Sequence, residues 1–116
     1  MTVKKVKELL DAKVAFGEDF LDREVETACG SDMMSDVLAY VKNQAVLLTG
    51  LCNSQVIRTA EMMDIVCLVF VRNKKPTEEM IELAKEIAIV LSEAEHRMFT
   101  ACGILYENGL RGGGTV

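Results

Sequence analysis

"AVLLTGLCNSQVIRTAEMMDIVCLVFVRNKKPTEEMIELAKEIAIVL", residues 45 to 91, decides the fold. Three apolar runs, AVLLTG at 45–50, IVCLVFV at 65–71 and IAIVL at 87–91, are short and rich in β-branched residues, the pattern of strands covered on both faces. Between them apolar residues return at helical spacing: Val56, Ile57, Ala60 and Met63 in one interval, then Met80, Ala84 and Ile87 with Ile81 alongside in the next. The pattern is β-α-β-α-β. Such crossovers are almost always right-handed, so these strands are expected to be parallel neighbours or near neighbours. The sole proline, Pro76, precedes Thr77-Glu78-Glu79, a helix cap followed by first-turn acids.

Downstream, "SEAEHRMFTACGILYENGL" (92–110) offers Ser92 and Glu95 as an S-x-x-E capping box, which predicts that the final helix starts there. Its expected inward stripe is Met98, Cys102 and Leu105, with Phe99 and Tyr106 beside it, and Asn108-Gly109 ends it. Upstream, Thr2 caps a short helix with Val3, Val6 and Leu10 inward. KVAF (13–16) reads as a short strand, and Val25, Thr27 and Cys29 alternate like a half-exposed one. The expected fold class is α/β: a single three-layer domain over residues 1–110, with a small, mainly parallel sheet flanked by helices. Residues 111–116, RGGGTV, read as a flexible Gly-rich tail.

A chain of 116 residues, half of them hydrophobic and 27% charged, suits one packed domain. A net charge of -5 with 5% aromatic residues argues against a nucleic-acid polymer as partner, which calls for a basic stripe interleaved with stacking rings. Anionic membranes are disfavoured for the same reason. The longest wholly apolar run, Ile65 to Val71, is far short of the roughly 20 residues that span a bilayer. The charged start, MTVKKVKELLDAK, lacks a signal-peptide core, and a cytoplasmic protein is expected.

Cys29, Cys52, Cys67 and Cys102 contain no C-x-x-C pair, and His96 is the one histidine, so no metal or cofactor is expected. Cys67 and Cys102 read as small core residues. Cys52 lies between a strand and a helix, where a dipole-lowered thiol pKa is conceivable. His96, flanked by Glu95 and Arg97, reads as a solvated residue near the start of the last helix.

Open α/β sheets bind ligands beyond the carboxyl ends of their strands. Four stretches qualify: Gly30-Ser31-Asp32, residues 49 to 54, the basic turn Arg72 to Lys75, and Ser92-Glu93. In the first, Ser31-Asp32 and Ser35-Asp36 repeat at a spacing of four, which places Asp32 and Asp36 on one helical face. That pair reads either as a ligand site or as a helix start, with Ser31 as N-cap and carboxylates favoured by the helix dipole. In the second, Thr49 and Gly50 lead into a helix whose free N–H groups suit an anion, with Arg58 one turn in; Asn53 or Ser54 serves equally as its N-cap. The candidate ligand-binding residues are therefore Ser31, Asp32, Ser35, Asp36, Thr49, Gly50, Asn53 and Arg58. The motifs G-x-x-x-x-G-K-[ST], G-x-G-x-x-G and G-x-S-x-G are all missing, and no catalytic residue is assigned.

Asp22-Arg23 after Leu21, the S-D-x-x-S-D segment, the Lys75-Pro76 turn before a helix and Phe99-x-Ala101 together resemble the DRTGG domain family, over roughly residues 3 to 110. The chain departs from the namesake motif: Thr27-Ala28-Cys29-Gly30 stands where Thr-Gly-Gly is expected. Such domains look like accessory modules beside CBS domains in regulated pyrophosphatases, in the amino-terminal part of some phosphotransacetylases, and in a form similar to the amino-terminal domain of HPr kinase. The resemblance implies a non-catalytic α/β module for regulation or association, and dimers.

The leading expectation is a stand-alone regulatory module, a homodimer, sensing a nucleotide or other small anionic metabolite. A short chain with few helices to cover both faces of a parallel sheet also motivates the dimer. The alternative is an adaptor subunit of a larger metabolic enzyme complex, with an enzyme partner and no small ligand. A small transferase or kinase stands last.

Overall fold

The apolar runs at 45 and 65 form β3 (Ala45–Thr49) and β4 (Ile65–Phe70), and every residue of β3 is buried, as a strand covered on both faces requires. The structure, a computed structural model, describes residues 1 to 113; residues 114 to 116 of the expected tail lie outside the described residues. Around the two strands the described residues place β1 (Lys13–Phe16), β2 (Thr27–Gly30) and β5 (Val90–Glu93), with helices α1 (Val3–Leu10), α2 (Met34–Tyr40), α3 (Ser54–Met62), α4 (Glu78–Ile87) and α5 (Met98–Glu107). The result is an α/β domain with a five-stranded, mostly parallel sheet.

The sheet runs β1-β5-β4-β3-β2, with β2 to β5 parallel and in sequential order. Three right-handed crossovers stepping the same way put their helices on one face. Met34 and Val37 of α2, Val56 and Ile57 of α3 and Met80 and Ala84 of α4 accordingly share one core with Leu47, Leu68 and Phe70. The chain's two ends cover the other face: Val3, Val6 and Leu10 of α1 and Ala101 and Leu105 of α5 pack on Val46, Leu48, Cys67 and Val69. One chain thus covers both faces, so an uncovered sheet face, the expected motive for a dimer, is absent among the described residues. β1 closes the far edge antiparallel to β5, with a bulge between Val14 and Phe16.

Two caps form where the sequence puts them. The Thr2 side chain accepts from the Lys5 N–H at 3.1 Å, and the Thr77 hydroxyl accepts from the Met80 N–H at 3.2 Å. The capping box at Ser92 and Glu95 does not form. Ser92 is buried in β5, where its hydroxyl donates to the Leu68 carbonyl at 3.1 Å, and α5 starts only at Met98. Pairing with β4 holds this segment extended, so the sheet overrides a local helix signal. Gly109, at φ 104°, follows α5 in the left-handed geometry its sequence suggests.

On α5, Ala101 and Leu105 form the buried stripe, Met98 and Cys102 are half-buried, and Phe99 and Tyr106 face outward. Cys67 is buried as expected, whereas Cys102 is not a full core residue. Arg111 is held to β2, its carbonyl accepting from the Ala28 N–H at 2.9 Å.

Candidate site at the carboxyl ends of the parallel strands

Strand β2 runs on through Ser31, whose N–H donates to the Leu48 carbonyl at 3.0 Å. The Ser31 hydroxyl then accepts from the Met33 N–H at 3.0 Å, turning the chain so that Asp32 reaches the end of β3. There Asp32 Oδ1 accepts from the Gly50 N–H at 2.6 Å and from the Thr49 hydroxyl at 3.1 Å. Thr49, fully buried, also accepts from the Leu51 N–H at 3.1 Å, which leaves its single proton for Asp32. One carboxylate oxygen is therefore fastened to the end of β3.

The other carboxylate oxygen, Oδ2, faces Arg72 Nη2 at 3.7 Å, a loose ion pair with both side chains about half exposed. Arg72 arrives from the turn after β4, where Arg72 and Asn73 both take left-handed backbone, at φ 57° and 62°. Hydrogen bonds hold the turn: the Arg72 N–H donates to the His96 carbonyl at 2.8 Å and the Asn73 N–H to the Ala94 carbonyl at 2.9 Å. The guanidinium lies over Gly50 so closely that a Cβ there would collide with it. A side chain at position 50 would push the end of the Arg72 side chain aside rather than strain the backbone.

Cys52 sits within the same group of charges. Burial pushes its thiol up; Lys74 and Arg72 oppose the rise, and Asp32 and Glu93 add to it. The dipole-lowered thiol is corrected: burial outweighs the nearby cations. Lys75 approaches Glu93 at 3.9 Å. Asp32, the Thr49-Gly50 strand end, Arg72, Lys74 and Glu93 thus stand at the ends of the four parallel strands, and the charges among them act on the half-buried Cys52 thiol.

Of the candidates named from sequence, Asp32, Thr49 and Gly50 come together, with Ser31 shaping the turn. Ser31 is not an N-cap, because α2 begins at Met34 behind Met33. Asp32 therefore precedes the helix, and the expected shared helical face with Asp36 does not exist. Ser35 and Asp36 lie exposed on α2. Asn53 caps α3, its side-chain oxygen accepting from the Gln55 N–H at 3.0 Å. Arg58 is exposed on α3, with no side-chain hydrogen bond or ion pair to the cluster among the described residues. Arg72 completes the group in its place; the basic turn after β4 was its signal. His96 is half-buried in the loop between β5 and α5 rather than on a helix.

A separate cleft of about 420 Å³ opens at the opposite ends of the strands, bounded by Arg23, Asp64 and Ala88. Two of its polar side chains are already bonded: Arg23 donates to the Ala88 carbonyl and stacks 4.3 Å from the Phe20 centroid, and Asp64 accepts from the Gln44 N–H. Among the described residues no three His, Cys, Asp or Glu side chains are grouped to hold a metal, and no helix is long and apolar enough to cross a membrane.

No family profile and no curated protein matches this sequence. Among solved structures, the chain is similar to the CBS and DRTGG domains of the regulatory region of Clostridium perfringens pyrophosphatase, complexed with its activator, diadenosine tetraphosphate. The TM-score is 0.70 at 17% identity, over 90% of this chain and 45% of that one. What the two share is a fold. The chain spans under half the length of that neighbour.

Proposed function

We propose that this chain is a non-catalytic regulatory module of the DRTGG kind, acting as a homodimer, that binds a small anionic metabolite of the nucleotide class beyond the carboxyl ends of β2 to β5. The observation that carries the reading is the convergence of Asp32, Gly50 and Arg72, with one carboxylate oxygen fixed and the other left to a loose ion pair. A bare phosphate would be repelled by Asp32. A nucleotide divides its contacts: Arg72 and Lys74 meet the phosphates, and Asp32 Oδ2 accepts a ribose hydroxyl. The similarity of fold to a regulatory region crystallised with a dinucleotide activator supports the same ligand class. The raised thiol of Cys52 supports a binding role over a nucleophilic one.

Calorimetric titration with adenosine mono-, di- and triphosphate and with diadenosine tetraphosphate tests the reading. At least one is expected to bind, with affinity lost in Arg72→Ala and weakened in Asp32→Ala. No heat with any of them, together with co-purification of an enzyme, would replace the sensor by the adaptor reading.

A further inference from the structure

Helix α5 carries an outward face that none of the described residues covers. Phe99 is 91% exposed and Tyr106 61% exposed, and they flank Gly103, above which the space is open. The three lie along one side of the helix at spacings of four and three. From Met98 to Tyr106 the helix has no charged residue, whereas the flanking positions are a cation, Arg97, and an anion, Glu107. Neither has an ion-pair partner among the described residues. The Arg111 guanidinium, 3.7 Å from the Tyr106 centroid and donating to the Tyr106 carbonyl at 2.6 Å, holds one face of that ring and leaves the other outward.

From this face we infer that α5 is the contact between two copies of the chain, packed antiparallel across a two-fold axis near Cys102 and Gly103. The inference rests on the dimeric part of the proposed function and names its surface. An isologous contact must be complementary to itself, and this helix is. Reversal about its midpoint sets Arg97 opposite the partner's Glu107 and Phe99 opposite the partner's Tyr106. Gly103, lacking a side chain, lets the two helices approach at the centre. Offset aromatic rings at the flanks and unpaired opposite charges at the ends then both find partners in one arrangement. A parallel arrangement would instead oppose Arg97 to Arg97 and Glu107 to Glu107. The sign of the end charges therefore selects the antiparallel copy.

Light scattering coupled to gel filtration of the full chain at micromolar concentration tests this. The wild type is expected at twice its 12.8 kDa mass. Phe99→Glu, at a position too exposed to disturb folding, is expected to run as a monomer with an unchanged circular dichroism spectrum. Arg97→Glu and Glu107→Arg are each expected to lose the self-dimer and, mixed in equal amounts, to form a mixed dimer. Gly103→Cys is expected to cross-link under mild oxidation where the wild type does not. A wild-type dimer that survives Phe99→Glu and both charge reversals overturns the α5 interface while leaving the dimer itself. A wild-type monomer overturns the interface and the dimeric part of the proposed function, and leaves nucleotide binding standing.

Discussion

At position 67 a cysteine is fully buried in β4, and burial pushes its thiol up to about 12 from an ordinary 9.0, the contact with Ser92 opposing only part of the rise. The folded state thus favours the protonated thiol. Its contribution to stability is complete below about pH 9 and is lost as pH rises towards about 12, at about 1.4 kcal/mol per pH unit. Urea denaturation is expected to show Cys67→Ala as less stable than the wild type at pH 8, with the gap narrowing steadily from pH 9 to 11. A gap that stays constant over that range would refute the assignment. The same scale explains what a sequence discloses about a site. Asp32, Thr49 and Gly50 are legible because each stands at or just beyond the end of an expected strand. Arg72 is harder to join to them, since its pairing with Asp32 spans forty residues and depends on β4 lying beside β3. Ser35 and Asp36 match the residue types of Ser31 and Asp32 yet face solvent on α2, which begins two residues later than the repeat suggests.

Element boundaries follow tertiary partners more than local pattern. The run IAIVL reads as a strand from residue 87, but α4 continues through Ile87 and stops at Ala88, left-handed at φ 55°. A short apolar run fits a buried helix end as well as a strand, and periodicity alone does not separate them. What stops the helix is legible only in space. Arg23 donates to the Ala88 carbonyl at the negative end of α4 and stacks on Phe20, tying the chain after β1 to the start of β5. The Asp22-Arg23 pair, part of the resemblance read from the sequence, is here a structural clasp on its arginine side. Arg23→Ala is expected to destabilise the domain by about 2 kcal/mol in chemical denaturation. Arg23→Lys is expected to recover less than half of that, because an ammonium lacks the planar stack and the fixed fork. Full recovery by lysine would reduce the clasp to a simple charge.

For the whole molecule, the sequential order of β2 to β5 explains both what was legible and what was not. The β-α-β-α-β core of residues 45 to 91 follows from periodicity and the handedness of crossovers, and its helices share a face as that handedness demands. Coverage of the other face by α1 and α5 is not written in any local pattern, since it joins the two ends of the chain. Stability is graded accordingly. β3 and β4 have strand neighbours on both sides and cores on both faces, whereas β1 is a four-residue edge strand with a bulge, open along one side. Opening β1 breaks few buried contacts, while opening β4 parts both cores at once. In native-state hydrogen exchange, amides of β3 and β4 are therefore expected to exchange only through global unfolding, with a steep dependence on denaturant. Those of β1 are expected to exchange through local opening, nearly independent of denaturant at low concentration. Equal protection and equal slopes in β1 and β4 would mean that the sheet opens as one unit and that the bulged edge is no weak point.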